Sequence, residues 1–456
     1  MCGIAGSIGS FPRFDVAASL DRLAHRGPDG RDIVTIDGAT HGHVRLALVD
    51  LSSASAQPFR YRSQVLSYTG EIWNYRELRQ DLTALGHEFR TSGDTEVIAA
   101  SLSEWGLAAL PRLDGMFAFA WSDGLGGHYL ARDCFGKVPL YAARSGKAFA
   151  WATERKAFSP GVICSAIPPG STLDLRSGLV SRWYSLPRSP AKVDIISSLR
   201  EGVRKRLDAD APVCVLISGG LDSALVLALA HSISRSPIVA YTAVLNPRSS
   251  DLAAARSLCN RLGISLIEVR IAAPTAETLS AAARSIEIAS KVQIEIAALC
   301  IPLARRIAAD GFKACLSGEA ADELFGGYGN MCIKASKLDS AGWRQLRIAQ
   351  VAKMGRGNFV RCNKAFFAAG VECRLPFMEQ SLVESVLSLS KSECPPGKKL
   401  LKSSASVILP ASIIRRPKET FQGGCGMDLM AAAILPDPAA FYRAEIRKAY
   451  SCLAME

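Results

Sequence analysis

The segment SGGLDS has the residue types and spacing of a loop that binds a nucleotide phosphate. Gly219 and Gly220 would let the backbone turn tightly and approach a phosphate without interference from a Cβ atom. A helix beginning after them would point free N–H groups at the anion. Ser218 and Ser223 add hydroxyl donors, and Asp222 can hold a Mg²⁺ ion bound to the phosphates. The segment therefore predicts a phosphate loop, and it differs from the G-x-x-x-x-G-K-[ST] loop of Walker-type ATPases.

A second cluster of chemically suitable residues lies in LSGEAADELFGGY, which follows the short apolar run KACLS. Glu319, Asp322 and Glu323 are spaced i, i+3 and i+4, and this spacing predicts that they share one face of a helix. Carboxylates on one face repel each other unless they are solvated or bridged by cations. An exposed acidic helix start is the alternative, since it suits the helix dipole. Because the cluster lies beside a second Ser-Gly turn, we expect its carboxylates to bind a metal ion rather than form an exposed acidic helix start.

Cys2 is the one cysteine whose position indicates chemistry. Removal of Met1 would make it the N-terminal residue, with its thiolate as nucleophile and its α-amine, of pKa about 7.7–8.0, as a built-in base. The alternative is a buried structural cysteine. The chain has 13 cysteines, and no two of them have a C-x-x-C spacing, so we expect no zinc site.

The elements that would position these residues change character near the segment SLPRSPAKV (185–193), which predicts a boundary between two domains, 1–188 and 194–456. Before it, short strands alternate with a few helices. The predicted strands are GIAGSIGS, VRLALVDL, QVLSYTGEI, GMFAFAW and HYLARD, and the predicted helices are NYRELRQDLTAL and DTEVIAASLSEW.

After the boundary, strands and helices alternate. PVCVLIS, IVAYTAVL and SLIEVRI are predicted strands, and SALVLALAHS and DLAAARSLCNRL are the helices between them. This order predicts a doubly wound parallel sheet. The last thirty residues show no pattern from which we assign a fold.

Composition narrows the function classes. The longest apolar runs, such as Ala224–Ala230, are far shorter than the roughly 18–20 residues of a membrane span, and the start lacks a signal peptide, so we expect a cytoplasmic protein. The net charge of +12 is spread along the chain, which favours a basic solvated surface. A charged substrate or carrier partner, or a nucleic acid, is the alternative explanation of the charge.

Taken together, the motifs resemble those of glutamine-dependent asparagine synthetases, over nearly the whole chain to about Gly424. In the first half the matching segments are MCGIAG, HRGPD, RLALVD, GEIWN, SGDTEV, LDGMFAFA and RDCFGKVPLY. In the second half they are LISGGLDSA, LSGEAADELFGGY, GVECRLPF and RPKETF. The resemblance implies an α/β protein: a four-layer α/β/β/α Ntn-hydrolase sandwich, followed by a doubly wound, adenine-nucleotide-binding domain that splits ATP to AMP and pyrophosphate.

The resemblance also implies roles for residues of the first half. Cys2 would attack the side-chain amide of glutamine and release ammonia. Arg45 would hold the glutamine α-carboxylate through a bidentate contact. Glu71 and Asp94 would hold its α-ammonium group, and the N–H of Gly70 would supply half of the oxyanion hole.

In the second half, the residues that resemble nucleotide-contacting positions, besides the SGGLDS loop, are Leu216, Val244, Ser317 and Gly318. Asp222 and Asp322 match Mg²⁺ positions. Glu319 resembles a catalytic carboxylate at the acyl-adenylate, and Lys418 resembles a lysine that stabilises the pyrophosphate charge. The implied reaction uses ATP and Mg²⁺ to convert a carboxylate to an acyl-AMP, from which ammonia, passed internally between the sites, displaces AMP.

Two departures from the family pattern bear on function. Thr69 stands where the family has an asparagine that completes the oxyanion hole, and loss of such a donor costs about 10²–10³ in rate, so we expect weakened glutaminase activity. Val292, Gln293, Ile294 and Glu295 stand where the family has two threonines and an arginine suited to an amino-acid acceptor. Aspartate is the default acceptor, and another carboxylate, from secondary-metabolite, sugar or peptide chemistry, is the alternative.

Two other function classes stay open at this point. A nucleic-acid-modifying enzyme with the same ATP loop would explain the charge but not the first half of the chain. A decayed relative that serves as a binding subunit would explain Thr69 but not the intact ATP motifs. The expected partners are small molecules, namely glutamine, ATP and a carboxylic acid such as aspartate, with neither membrane nor nucleic acid; a homodimer is left open.

Overall fold

The structure is a computed structural model that describes residues 2–187, 191–192, 194–417 and 426–450. The chain splits into two compact units. The first consists of Met1–Ser185, Phe367–Gly370 and Arg443–Glu456, and the second of Leu186–Phe366 and Val371–Tyr442. The predicted domain bounds, 1–188 and 194–456, stay a prediction.

Two antiparallel sheets form most of the first unit, with strand orders β10-β8-β9-β1-β3-β2 and β12-β11-β7-β6-β5-β4. The strands are β1 (Gly3–Ile8), β2 (Gly30–Ile36), β3 (Ala39–Arg45), β4 (Phe59–Tyr61), β5 (Gln64–Ile72), β6 (Gly115–Ser122), β7 (His128–Arg132), β8 (Tyr141–Ser145), β9 (Ala148–Ala152), β10 (Ser165–Ala166), β11 (Ser171–Asp174) and β12 (Val180–Arg182). The helices are α1 (Val16–Leu23), α2 (Tyr75–Ala84) and α3 (Asp94–Trp105).

These elements stack in four layers. Helix α1 packs on strands β1 and β3 of the first sheet, the same strands face β5 of the second sheet, and α3 packs on the far side against β4 and β5. Strands β5 and β6 are buried along almost their whole length, as expected for strands that are covered on both faces. The predicted α/β/β/α sandwich is confirmed.

One predicted strand, VRLALVDL, is wrong for most of its length. Strand β3 ends at Arg45, and the chain continues as a loop to Asp50, which has a left-handed φ of 50°. Asp50 accepts hydrogen bonds from the N–H and hydroxyl of Ser52, at 3.0 and 2.6 Å, so local side-chain bonding replaces strand pairing here.

The second unit contains a parallel sheet of order β15-β14-β13-β16-β17. Its strands are β13 (Val213–Leu216), β14 (Val239–Val244), β15 (Ser265–Arg270), β16 (Ala314–Leu316) and β17 (Glu372–Arg374). The remaining α-helices of the described residues are α4 (Ile195–Leu207), α5 (Leu221–Ile233), α6 (Ser250–Leu262), α7 (Ala276–Ile286), α8 (Lys291–Ala309), α9 (Ala321–Phe325), α10 (Gly329–Ala335), α11 (Ser340–Met354), α12 (Asn358–Phe367), α13 (Gln380–Ser388), α14 (Lys399–Ala405), α15 (Ala411–Ile414), α16 (Met427–Ile434) and α17 (Pro438–Ala449).

The direction of chain progression in this sheet reverses between β13 and β16. From β13 the chain winds outward through α5, β14, α6 and β15, and then returns to place β16 on the other side of β13. The predicted doubly wound sheet is confirmed. In such sheets ligands bind beyond the carboxyl ends of the strands at the reversal point, and both predicted Ser-Gly loops begin there.

In the part of the chain that the structure describes, none of the helices combines the length and the apolar character that crossing a membrane requires.

Candidate functional site

One cavity in the first unit, which together with its solvent-open mouth measures about 360 Å³, is lined by the five residues predicted for glutamine. Cys2 precedes β1, Arg45 ends β3, Gly70 and Glu71 lie in β5, and Asp94 begins α3. The pairing of β1 with β3, and the packing of both on β5, bring these distant positions together.

The Cys2 side chain is buried at one wall of this cavity. Its Sγ atom lies 3.4 Å from the backbone N of Leu46, which donates to it, and 3.8 Å from the Leu46 carbonyl oxygen. Burial raises the pKa of the Cys2 thiol, and the Leu46 N–H opposes that rise. The thiol is therefore held in its neutral form and needs a base before it can act as a nucleophile.

Arg45 is oriented by the loop that follows β3. Its guanidinium donates to the carbonyl oxygens of Ser52 and Asp50, at 2.7 and 2.5 Å. The Asp50 carboxylate in turn accepts from the N–H of Ser92 at 2.8 Å. Although burial opposes it, the hydrogen bonds from Ser52 and its neighbours hold the pKa of Asp50 below its usual range. The loop that contains Asp50 thus fixes the orientation of Arg45, the residue that would bind the α-carboxylate of glutamine.

The lining of this cavity also carries two carboxylates. Asp94 and Glu71 are both buried, and Oδ2 of Asp94 accepts from the Tyr68 hydroxyl at 2.8 Å and from the N–H of Ile72 at 3.0 Å. Paired carboxylates suit an ammonium group, because burial strengthens their attraction for a cation. The Cβ of any residue other than glycine at Gly70 would lie 2.1 Å from a backbone carbonyl oxygen of β6, so only glycine fits there.

Thr69 does not point its hydroxyl proton at the cavity. Its fully buried Oγ1 accepts a hydrogen bond from the Cys2 nitrogen at 3.1 Å and donates to the Cys2 carbonyl oxygen at 2.8 Å. The same carbonyl oxygen accepts from Nε of Arg26 at 3.1 Å, and Arg26 is paired with buried Glu154 at 2.6 Å. The residue expected to replace an oxyanion donor is thus engaged with the main chain of Cys2.

In the second unit, the SGGLDS loop joins β13 to α5 and borders a cavity that, together with its solvent-open mouth, measures about 720 Å³. Ser218, Gly220 and Asp222 line the cavity, while Ser223 Oγ accepts from the Ser218 N–H at 3.1 Å and so tightens the loop. Gly219 has a φ of 77°, and a Cβ there would lie 2.1 Å from a carbonyl oxygen of α6. The predicted phosphate loop has the backbone shape that its glycines indicated.

The second Ser-Gly loop touches the first. A Cβ on Gly318 would lie 2.6 Å from the backbone N of Ser223, so the two loops pack backbone against backbone. Leu216 and Val244 end the neighbouring strands β13 and β14, and Ser317 follows β16. These three residues and Gly318 stand at the same edge of the sheet, but none of the four is among the described residues that line the 720 Å³ cavity.

The two residues predicted to hold Mg²⁺, Asp222 and Asp322, are both paired with the ammonium group of Lys398. The Nζ atom of Lys398 lies 2.5 Å from Oδ2 of Asp222 and 2.6 Å from Oδ1 of Asp322. Burial by itself lowers the pKa of Lys398, but the two carboxylates raise it above its usual range. A Cβ on Gly327 would lie 2.0 Å from the same Oδ1 atom, so glycine is required for this approach. Asp222 and Asp322 carry the hard oxygen ligands that Mg²⁺ prefers, and in this structure both carboxylates are paired with Lys398.

The predicted placing of Glu319 on a helical face with Asp322 and Glu323 is wrong. Ala320 has a left-handed φ of 83°, and α9 begins only at Ala321, so Glu319 lies in the loop before the helix. The left-handed residue turns the chain between the carboxylates. Sequence spacing could not reveal this, because alanine gives no signal for such a conformation.

Glu319 is instead held in a closed ring of hydrogen bonds. Oε1 accepts from Asn358 at 2.8 Å, and Oε2 is paired with the guanidinium of Arg361. Gln293 completes the ring, accepting from Arg361 at 2.8 Å and donating to Asn358 at 3.0 Å. Asn358 also donates to Glu323 at 2.8 Å, and burial together with the charge of Glu319 raises the pKa of Glu323 to about 7.

Sequence reasoning missed the partners of these carboxylates. Lys398, Asn358 and Arg361 are separated from the motifs by long stretches of chain, and only the fold brings them back. Arg361 offered one signal, a charged residue between the apolar residues Val360 and Cys362 of α12, where it is almost fully buried. Buried arginines are paired, which indicates a carboxylate nearby.

Two further residues from the sequence prediction, Glu295 and Lys418, lie apart from the groups described so far or outside the described residues. Glu295 is fully buried and paired with Lys291 at 2.8 Å. It lies two positions from Gln293 on α8, about 200° around the helix, so it does not join the ring around Glu319. A glutamate in place of the family's arginine would be expected to repel the α-carboxylate of aspartate, and this placement gives that expectation no support. Lys418 lies outside the described residues.

Comparisons with known proteins agree with both halves of this description. The family model of the glutamine amidotransferase domain matches residues 1–196, and that of asparagine synthase matches residues 194–341 and 334–437. Asparagine synthetase B [glutamine-hydrolyzing] of Escherichia coli is 33% identical over 449 residues, covering 90% of this chain and 79% of that protein. Asparagine synthetase [glutamine-hydrolyzing] 3 of Arabidopsis thaliana is 30% identical over 471 residues, covering 93% and 79%.

The maize protein Asparagine synthetase [glutamine-hydrolyzing] is 30% identical over 465 residues, covering 93% of this chain and 78% of that protein. The resemblance that the motifs indicated is confirmed across both halves of the chain. With an amidotransferase domain followed by an asparagine synthase domain, the chain belongs to the asparagine synthetase family.

Proposed function

We propose that this chain is a glutamine-hydrolysing, ATP-dependent asparagine synthetase. The observation that carries the proposal is the convergence of Cys2, Arg45, Glu71 and Asp94 on one cavity. A nucleophile, one cation and two carboxylates match the amide, the α-carboxylate and the α-ammonium of glutamine. The phosphate loop of the second unit supports the use of ATP.

In the proposed glutaminase step, Met1 is removed and the amine of Cys2 takes the thiol proton. The thiolate attacks the amide carbon of glutamine, with the oxyanion facing the Gly70 N–H. The Cys2 amine then passes its proton to the leaving nitrogen, and the collapsing intermediate expels ammonia. Water then hydrolyses the thioester to glutamate and frees the thiol. Arg45 holds the α-carboxylate, and Glu71 and Asp94 hold the α-ammonium.

In the proposed synthetase step, the side-chain carboxylate of aspartate attacks the α-phosphorus of ATP and pyrophosphate leaves. Ammonia then attacks the acyl carbon, loses a proton and expels AMP. Ser218, Gly219, Gly220 and Ser223 cradle the phosphates, and the strand ends at Leu216, Val244, Ser317 and Gly318 border the rest of the nucleotide. The ring around Glu319 fixes that carboxylate for work at the acyl-adenylate.

Asp222 and Asp322 would hold Mg²⁺, which supplies neutralisation of the phosphate charges when it is bound. Lys398, between them, brings a second positive charge to the same edge of the cavity. By resemblance we assign stabilisation of the departing pyrophosphate to Lys418.

We also propose a glutaminase domain of residues 1–188 and a synthetase domain of residues 194–456. The proposed location is the cytoplasm, and the proposed assembly, on the resemblance alone, is a homodimer.

The test is mass spectrometry of the products after the protein is mixed with ATP, Mg²⁺, aspartate and amide-¹⁵N glutamine. We expect labelled asparagine and AMP in equal amounts. Unlabelled ammonium in place of glutamine should also give asparagine, and Cys2→Ala should abolish only the glutamine-dependent reaction. Hydrolysis of glutamine with neither asparagine nor AMP would contradict aspartate as the acceptor.

A further inference from the structure

The hydroxyl of Thr69 lies against the main chain of the residue that carries the nucleophile. Strand β5 places this fully buried side chain beside Cys2, with Gly70 next along the strand at the cavity wall. Oγ1 is 3.1 Å from the Cys2 nitrogen and 2.8 Å from the Cys2 carbonyl oxygen. Both distances are those of ordinary hydrogen bonds.

A hydroxyl has one proton, and the geometry determines where it goes. The carbonyl oxygen of Cys2 can only accept, so the Thr69 proton is donated to it, and the lone pairs of Oγ1 then accept from the Cys2 nitrogen. No second proton remains for an oxyanion at the substrate. Thr69 therefore does not supply the second oxyanion donor that the asparagine of the family pattern would provide.

We propose that Thr69 is a positioning residue for the N-terminal nucleophile of the proposed glutaminase. The Cys2 nitrogen becomes the terminal amine after removal of Met1, and the Thr69 hydroxyl then holds this amine and the neighbouring carbonyl in one orientation. The thiol is thereby kept in reach of its own base. The inference rests on the proposed function only for the identity of the substrate.

Arg26 supports the same arrangement from the other side of the carbonyl. Its Nε donates to the Cys2 oxygen at 3.1 Å, and its ion pair with Glu154, at 2.6 Å, is fully buried. Two donors of different chemistry thus converge on one carbonyl oxygen. Thr69 differs from Arg26 in that its hydroxyl is also bonded to the Cys2 nitrogen, the atom that must accept the thiol proton.

The test compares Thr69→Val, which has nearly the same shape but no hydroxyl, with Thr69→Ser, which keeps it. For Thr69→Val we expect kcat for glutamine hydrolysis to fall about 10- to 100-fold, since small misplacements of reacting groups have effects of this size. KM for glutamine should change less than about twofold, because no group that binds glutamine is altered. Thr69→Ser should retain at least a third of the wild-type rate, and ammonium-dependent asparagine synthesis should be unchanged in both variants.

Alkylation of Cys2 by iodoacetamide separates positioning from oxyanion stabilisation, because no oxyanion forms in that displacement. We expect Thr69→Val to slow alkylation in parallel with kcat. If kcat of Thr69→Val falls while its alkylation rate is unchanged, Thr69 is an oxyanion donor. If both kcat and the alkylation rate are unchanged, the hydroxyl has no role in the reaction. Either result overturns the proposal. If the wild type hydrolyses no glutamine, the proposed function fails, while the alkylation rates of the variants still decide the role of Thr69.

Discussion

Lys398 places its ammonium nitrogen 2.5 Å from Oδ2 of Asp222, the carboxylate at the end of the phosphate loop. The two residues are 176 positions apart in the chain. Only 5% of the Lys398 side chain is exposed, and its nitrogen also lies 2.6 Å from Asp322. The cation therefore neutralises a pair of carboxylates that would otherwise repel each other at the edge of the cavity beside the SGGLDS loop.

Replacing Lys398 with methionine removes this charge and keeps most of the side-chain volume. We expect AMP formation from ATP, aspartate and ammonium to fall about 100-fold, the scale on which a positioned charge contributes to catalysis. Lys399→Met is the matched control, since Lys399 is exposed and lies next in the chain. Equal rates for both variants would show that the Lys398 ammonium has no part in the reaction, and glutamine hydrolysis should be retained in both.

Gly327 is required for the approach of Lys398 to Asp322. A Cβ at Gly327 would lie 2.0 Å from Asp322 Oδ1 and 2.2 Å from Lys398 Cε, so both side chains would have to move. We expect Gly327→Ala to lower ATP-dependent activity about 10- to 100-fold, since a displacement of 1 Å can have that effect. Gly329→Ala is the control, because a Cβ there meets no atom within 4 Å. The steady-state rate of AMP production measures the activity of both variants. Wild-type activity of Gly327→Ala would show that the approach of Lys398 to Asp322 does not require glycine at this position.

Gln293 closes the ring that fixes Glu319. Gln293→Leu keeps the size of the side chain but leaves Arg361 and Asn358 without one partner each, at a cost of about 1–3 kcal/mol per buried group. We expect ammonium-dependent asparagine synthesis to fall about 10-fold or more in kcat/KM for aspartate, with the glutamine hydrolysis rate unchanged. Val292→Ala, at the half-exposed neighbouring position, should behave like the wild type. A Gln293→Leu enzyme with normal kcat/KM would refute a role for the ring.

His41 and His43 predict the pH dependence of stability of the first unit. Both are buried in β3, and burial lowers the pKa of each from 6.5 to about 3. Because the unfolded chain takes up these protons first, the stability contributed is full above pH 6.5 and is lost as the pH falls toward 3, by about 2 kcal/mol per histidine at pH 5.

Urea unfolding followed by tryptophan fluorescence can measure this loss, since five of the six tryptophans lie in residues 1–185. The difference in unfolding free energy between pH 7.5 and pH 5 should be about 2 kcal/mol smaller in His41→Gln than in the wild type. His231→Gln, at an exposed position near the end of α5, should leave the difference unchanged. A His41→Gln protein with the wild-type pH dependence would show that this histidine does not titrate as described.

The sequence alone determined the local backbone structure that neighbouring residues encode. Gly219 and Gly220 predicted the tight turn between β13 and α5, because the shape of the backbone there depends on adjacent residues. The periodicity of QVLSYTGEI and DTEVIAASLSEW predicted β5 and α3 at their observed bounds, Gln64–Ile72 and Asp94–Trp105. Alternation of strands and helices predicted the doubly wound sheet, since parallel strands need crossover connections.

The tertiary structure decided what depends on residues far apart in the chain. The pairing of Lys398 with Asp222 and the ring around Glu319 follow from packing, and sequence spacing gives no indication of them. Thr69 is the clearest case: its identity indicated a missing donor, but the direction of its one proton follows from the position of Cys2, 67 residues away. A hydrogen bond requires two atoms at a set distance and angle, and only the folded chain brings those atoms together.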